Sequence, residues 1–251
     1  MARDFLLQVE GISKSFGGVA AVSNVSFDLV RGQILGIIGP NGSGKTTLVN
    51  LITGFIKVDA GDVRFKGKSI TGLQPHKIAN LGLARTFQIP RPYHLPSFKN
   101  LIVPLRSPRA KKSDWGKLGD RYSMAIDLLE EVGFERDAYV PYKVASSLPE
   151  GYLKRLELAR CLSLRPELII TDEILSGLSV AEMATMTPLM EKLQMQGKTI
   201  IMIEHRLREL FSLTNRVIVM NFGSKIAEGI PDQVMQTKEV KEAYLGKEIQ
   251  E

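Results

Sequence analysis

The chain has 251 residues, 44% of them hydrophobic, and a formal net charge of +6, enough to bury one large domain or a core with a subdomain. A single cysteine, Cys161, excludes an intrachain disulfide, and no apolar run reaches the eighteen residues that a membrane-spanning helix needs. The basic balance suits an anionic ligand, a phospholipid surface or nucleic acid; with no helix-turn-helix, zinc-finger or RNP-like pattern, no nucleic-acid partner is expected.

Met1-Ala2-Arg3-Asp4 leads into strand-like sequence without a signal-peptide pattern, so a cytoplasmic location is expected. Phe5 to Glu10 and Val25 to Leu29 carry strand patterning, broken at Gly17-Gly18 and Arg31-Gly32, and predict an antiparallel β unit. Ile34 to Ile38 is an apolar run that predicts a buried strand, and Thr47 to Thr53 predicts a helix stopped by Gly54. Between them stands Gly39-Pro40-Asn41-Gly42-Ser43-Gly44-Lys45-Thr46, the G-x-x-x-x-G-K-[ST] pattern in its strand-loop-helix context. Glycines let successive N–H groups curl around phosphate oxygens, and the helix that opens at Thr46-Thr47 adds its positive end. Lys45 can then reach the β- and γ-phosphates, and the Thr46 hydroxyl can ligate Mg²⁺.

Val63 to Phe65 predicts a further strand with a turn at Lys66-Gly67-Lys68, and Pro75 reads as a break. Gln88 then opens a segment holding Pro90, Pro92, Pro96, Pro104 and Pro108 between Ile89 and Pro108, a density that predicts an irregular connection. From about 110 to 165 the pattern turns helical, with Tyr122 to Val132 ending at Gly133, and Leu153, Leu156, Ala159 and Leu162 at helical spacing. Cys161 falls in this pattern as a small packed side chain. Leu168 to Thr171 predicts a core strand, Val180 to Gln196 a helix, Thr199 to Ile203 another strand, and 216–229 a hairpin.

Alternating strands and helices predict an α/β fold with a mostly parallel sheet, whose ligand sits beyond the carboxyl ends of the strands. One domain over 1–251 is expected, with core residues at about 1–88 and 166–251 and a connecting and helical insert at 89–165. Asp172-Glu173 follows a core strand: Asp172 can hold Mg²⁺ and Glu173 can deprotonate water, or the pair can N-cap the next segment. His205 ends the next strand and is either a γ-phosphate contact or a structural histidine. Gln88 is either a water- and metal-contacting amide or a surface loop amide.

The order of P-loop, Gln88, helical insert, Asp172-Glu173 and His205 resembles the ATP-binding subunit of an ABC transporter, over nearly the whole chain. The resemblance implies a P-loop (RecA-like) core with an N-terminal antiparallel β subdomain and an inserted helical subdomain. It places a signature motif at Leu148-Pro149-Glu150-Gly151-Tyr152, where Leu148 and Gly151 match L-S-G-G-Q and Pro149, Glu150 and Tyr152 depart. Phe16 matches the aromatic that stacks on adenine in this family; otherwise it is a strand-end core aromatic. Leu51 to Phe55, Leu83 to Gln88, Ile203 to Leu207 and Ala243-Tyr244-Leu245-Gly246 resemble, more narrowly, the ATPases of branched-chain (hydrophobic) amino-acid importers.

The resemblance implies ATP hydrolysis with Mg²⁺, with Lys45 and Thr46 on phosphate and metal, Gln88 on metal or water, Asp172 on the metal, Glu173 as general base and His205 on the γ-phosphate. It implies a head-to-tail pair of ATPase subunits, the P-loop of one meeting the signature of the other, peripheral on the cytoplasmic face of the membrane. Two transmembrane permease subunits and, indirectly, a substrate-binding protein complete the assembly. Pro149 has neither hydroxyl nor N–H, so a heterodimer is expected in which this chain's own P-loop site is active and the site its signature completes is weaker. Ser179 stands where the family's D-loop ends in Asp. The basic stretch Arg106, Arg109, Lys111 and Lys112 lies either near anionic lipid heads or in a solvated loop. Other readings are an exporter ATPase, for example for lipid, and a soluble ABC ATPase acting on nucleic acid or ribosomes, against which a single cassette without sustained heptads counts.

Overall fold

The computed structural model describes residues 4–111, 121–136 and 139–245. Met1, Ala2, Arg3, Lys112 and Gly246 lie outside the described residues. Strands β1 (Phe5–Phe16) and β2 (Val19–Val30) form a hairpin turned at Gly17-Gly18. After β3 (Ile34–Ile38) and α1 (Lys45–Ile52), strands β4 (Ala60–Phe65) and β5 (Lys68–Ser69) return to that hairpin, giving an antiparallel sheet of order β2-β1-β4-β5. Helix α2 (Pro75–Leu81) follows. Pro75 therefore opens a helix instead of marking a break: at the first helical position its missing N–H is one that no carbonyl needs.

Strand β6 (Leu83–Arg85) precedes helices α3 (Lys99–Leu105), α4 (Pro108–Lys111), α5 (Arg121–Glu131) and α6 (Glu150–Leu162). Then come β7 (Leu168–Asp172), α7 (Val180–Met195), β8 (Thr199–Ile203), α8 (Leu207–Leu213), β9 (Arg216–Asn221), β10 (Ser224–Gly229), α9 (Pro231–Val234) and α10 (Lys238–Leu245). The second sheet has the order β10-β9-β3-β8-β7-β6, parallel except for the final hairpin. Strands β3, β7 and β8 are buried at every position, as a parallel sheet covered on both faces requires.

Alternate residues of these strands feed two cores. Leu35, Ile37, Ile170, Ile201 and Ile203 pack with the antiparallel sheet and α1 through Leu6, Val9, Phe27 and Leu48. Ile34, Ile38, Ile169, Ile200 and Met202 pack with the helices through Leu101, Leu128, Leu156, Met190 and Leu210. Cys161 lies in this helical core. Each fully buried aliphatic side chain contributes about 1.5–3 kcal/mol relative to exposure.

The proline-rich segment is less irregular than expected, because α3 occupies its second half and buries Leu101 and Leu105. Pro104 sits in the last turn of that helix, where it removes one backbone bond and breaks nothing further. Asn100, fully buried, organises the remaining loop: its Oδ1 accepts from the Tyr93 N–H at 2.7 Å, and its Nδ2 donates to the Leu95 and Pro96 carbonyls at 3.2 and 3.1 Å. Between α5 and α6 the helical expectation also fails in part, since 3₁₀ turns at Val140–Tyr142 and Ala145–Ser147 interrupt it.

Arg109 is neither a lipid-facing nor a solvated cation. Its Nη2 donates to Glu167 at 3.0 Å and its Nε to the Arg165 carbonyl at 3.0 Å. Arg31 from the β2–β3 turn reaches the same carboxylate at 2.8 Å, and Lys66 from the β4–β5 turn also pairs with it. Three chain segments thus converge on one anion. Partial burial alone would raise the Glu167 carboxyl, but hydrogen bonds from Lys66, Arg31 and Arg109 outweigh it and hold it down to about 2, from an ordinary 4.5.

A depressed folded-state value means stability that is present above pH 4.5 and lost as pH falls towards 2. Glu167→Gln should lower stability at pH 7 by about 1–2 kcal/mol, a figure discounted for the partial exposure of the group. Urea denaturation of both proteins should show that difference closing between pH 5 and pH 2; an equal difference at both ends would contradict the assignment.

Candidate functional site

Three loops leave the carboxyl edge of the parallel sheet side by side, after β3, β7 and β8. The first is the glycine loop 39–44. Gly39 has φ +149°, and a Cβ there would lie 2.1 Å from the Met220 carbonyl oxygen; Gly44 has φ +101°, with its Cβ position 2.4 Å from the Ala21 oxygen. No other residue fits either place, so the loop packs against both the β hairpin and β9. Lys45 is buried and donates to the Gly39 and Pro40 carbonyls at 2.7 and 2.9 Å and to Ser43 Oγ at 3.4 Å. Tyr244 of α10 meets the start of the loop: burial pushes its hydroxyl up to about 12, against the opposing effect of the Gly39 N–H.

The second loop begins with Asp172-Glu173. Glu173 adopts a left-handed backbone, φ +55°, and its N–H donates to the Ile203 carbonyl at 2.8 Å. Its Oε2 accepts from Gln88 Nε2 at 2.7 Å, and its Oε1 lies 3.0 Å from Nε2 of His205, which comes from the third loop. Gln88, Glu173 and His205 therefore form one chain of contacts, and with Asn41 to Thr47 they line a cavity of about 450 Å³. Phe16 lies outside that lining but pairs with Val19, which is part of it. Its ring is 47% exposed with Lys14 Nζ 5.5 Å above it, so the core-aromatic alternative does not hold.

Asp172 is 1% exposed. Arg85 Nη2 donates to its Oδ2 at 2.7 Å, while Oδ1 is buried without a partner. Burial raises its carboxyl above the ordinary range, with Arg85 opposing. Arg85 also donates to Asn50 and lies 5.8 and 5.1 Å from the rings of Phe55 and Phe87. Thr46, Gln88 and Asp172 line a common cavity of about 480 Å³ beside this pair. A buried, unpartnered carboxylate oxygen next to a hydroxyl and an amide is a set of hard oxygen donors, and it fits a magnesium ion that keeps several waters.

The segment Leu148 to Tyr152 is elsewhere, and none of it lines the P-loop cavity. Leu148 is buried, Pro149 precedes the first turn of α6, and Glu150 starts it. A Cβ on Gly151 would lie 2.0 Å from Glu182 Oε1, and Tyr152 turns inward with its ring 5.0 Å from Phe134. Ser179 caps α7 in a reciprocal box with Glu182, so it takes the helix-capping part of an Asp at that place.

Sequence patterns did not single out Arg85, Lys154 or Glu204. Glu204 Oε1 accepts from the Leu175 N–H at 3.0 Å, and burial raises its carboxyl to about 7, against the Leu175 bond and nearby Lys154. Unlike Glu173 it faces inward, which the alternation of strand side chains continued past Ile203 would signal.

Residues 22–176 match the ABC transporter family. The branched-chain amino-acid transport ATP-binding protein BraF of Pseudomonas aeruginosa is 34% identical, over 96% of this chain and 98% of its own. The probable branched-chain amino-acid transport ATP-binding protein LivG of Archaeoglobus fulgidus is 35% identical, over 96% and 95%. A nucleotide-free ATP-binding cassette from an ABC transporter superposes with a TM-score of 0.85 at 32% identity, over 96% of this chain and 98% of that one. The ADP conformation of another such cassette gives 0.83 at 33% identity, over 96% and 99%. With its glycine loop, its acidic strand end and this full-length likeness, the chain belongs to the ABC transporter family, as one of its ATP-binding-cassette ATPases.

Proposed function

We propose that this chain binds and hydrolyses ATP to power an importer of branched-chain or related hydrophobic amino acids. The observation that carries the chemistry is the Gln88–Glu173–His205 chain across the cavity from the Lys45 loop. The names of the relatives, matched over nearly their full length, support the substrate class.

Lys45 exchanges its loop carbonyls for the β- and γ-phosphates, so the loop is already shaped around one cation. Thr46, Gln88 and Asp172 would hold Mg²⁺, whose charge, when bound, offsets that of the phosphates. Glu173 takes the proton of the attacking water, and Gln88 and His205 aim its carboxylate. His205 also contacts the γ-phosphate, and Phe16 stacks on the adenine. Leu148 to Tyr152 completes the site of a second ATPase subunit, which explains its distance from this chain's own P-loop. Pro149 cannot donate to phosphate there, while Gly151 keeps the backbone approachable, so the dimer is a heterodimer with one stronger site, this chain's own.

No helix among the described residues is long and apolar enough to cross a membrane. In this reading the chain is peripheral on the cytoplasmic side, works with two separate permease subunits, and a substrate-binding protein delivers the amino acid. ATP acts as the ligand that favours the closed dimer, and hydrolysis releases it.

Glu173→Gln should lower ATP turnover of the assembled transporter by about 100-fold or more while ATP still binds. Near-normal phosphate release in that variant would sink the assignment. Lys45→Ala should instead weaken ATP binding itself by about 10-fold or more, read by titration with a fluorescent nucleotide; unchanged affinity would exclude Lys45 as a phosphate ligand.

A further inference from the structure

We propose that Lys154 is a positioning residue for Glu173, clamping the turn that aims the base and tying it to the helix that carries the partner-facing signature. The proposal rests on the reading of Glu173 as the general base.

Lys154 lies on α6, one turn beyond Glu150, and is only 4% exposed. Its Nζ donates to the Glu173 carbonyl at 2.8 Å and to the Ser176 carbonyl as well. The Glu150 carboxylate lies 3.8 Å away. Taking an ammonium out of water is costly unless its protons find acceptors. Here the hydrogen-bond acceptors are two carbonyls of one four-residue turn, so both bonds last only while that turn keeps its shape.

The turn needs holding. A left-handed backbone is sterically unfavourable for a residue with a side chain. At Glu173 the N–H is held by the Ile203 carbonyl of the core strand, and the C=O accepts from Lys154 at 2.8 Å and, more weakly, from the Ser176 N–H at 3.2 Å. Two residues on, Glu204 holds the Leu175 N–H. Without Lys154 the carbonyls of Glu173 and Ser176 lose this donor, and relaxation of Glu173 to a right-handed backbone would swing its carboxylate away from Gln88 and His205.

The first turn of the same helix is equally constrained. A Cβ on Gly177 would lie 2.6 Å from Glu150 Oε1, and one on Gly151 would meet Glu182, the capping partner of Ser179. The first turn of α6 is thus packed against Gly177 and Glu182, and one turn on Lys154 bonds the 173–176 turn that precedes them. A shift of the signature helix changes the setting of Glu173 through that bond, which gives the two ATP sites a route of communication although Ser179 replaces the family's Asp.

The test uses Lys154→Met and Lys154→Arg in the full chain, with Glu173→Gln alongside. In the assembled transporter Lys154→Met should lower kcat by about 10–100-fold with KM and ATP affinity within about 3-fold of wild type, and Lys154→Arg, which keeps the donors, should recover most of the rate. Amide hydrogen exchange at 173–176, measured on the chain itself, should speed up by about 10-fold or more in Lys154→Met. Unchanged exchange there, a kcat within about 2-fold of wild type, or a KM that changes as much as kcat would overturn the proposal. Normal turnover in Glu173→Gln would defeat the reading of the base; lost turnover in Glu173→Gln with normal turnover in Lys154→Met would defeat the role of Lys154 alone.

Discussion

The site depends on the register of the parallel sheet. Ile37 and Asp172 both stand opposite Ile203, so β3, β7 and β8 run out of strand at one level. Inside β3, β7 and β8 every apolar side chain goes to one of two cores. Just past the rim the same three strands release a glycine loop, an acidic pair and a glutamate-histidine pair, within reach of one another because the ladder holds their roots a strand spacing apart. Chemistry is confined to that rim because the apolar alternation leaves no room for it below.

The legible part of the sequence reflects that division of labour. Apolar runs at 34–38, 168–171 and 199–203 announce buried strands, and the residues directly after them are where a parallel sheet puts its ligand. Glycines at 39 and 44 have a reason visible only in space, the close approach of Met220 and Ala21, yet their spacing already pointed to a curled loop. Prolines misled in one direction, towards irregular chain. Pro75 is the first helical residue, where its missing N–H does no harm, and Pro104 in the last turn of α3 removes one backbone bond without ending the helix before Leu105.

Arg85 and Lys154 were illegible for a different reason. Local patterning treats a charge as a solvent-facing residue, and each of these is buried by a partner distant in the chain. Asp172 lies 87 residues from Arg85, and the carbonyls of the 173–176 turn lie 19 to 22 residues from Lys154. Nothing in a periodicity of 3.6 or 2 records such meetings. Environment then decides what each charge contributes. The three cations around Glu167 meet it near solvent and act as a modest staple between segments. The Arg85–Asp172 pair is nearly dry, so losing one partner would strand the other at far greater cost.

Cys161, packed in the helical core, has its thiol pushed well above the ordinary range by burial and by the neighbouring Glu157. The thiolate is what reacts with thiol-directed reagents, so Cys161 is protected from them in the folded chain. Any cysteine engineered onto the surface can therefore carry a spectroscopic label with the natural one left in place. Modification of Cys161 itself becomes a clock for opening of the core around α6.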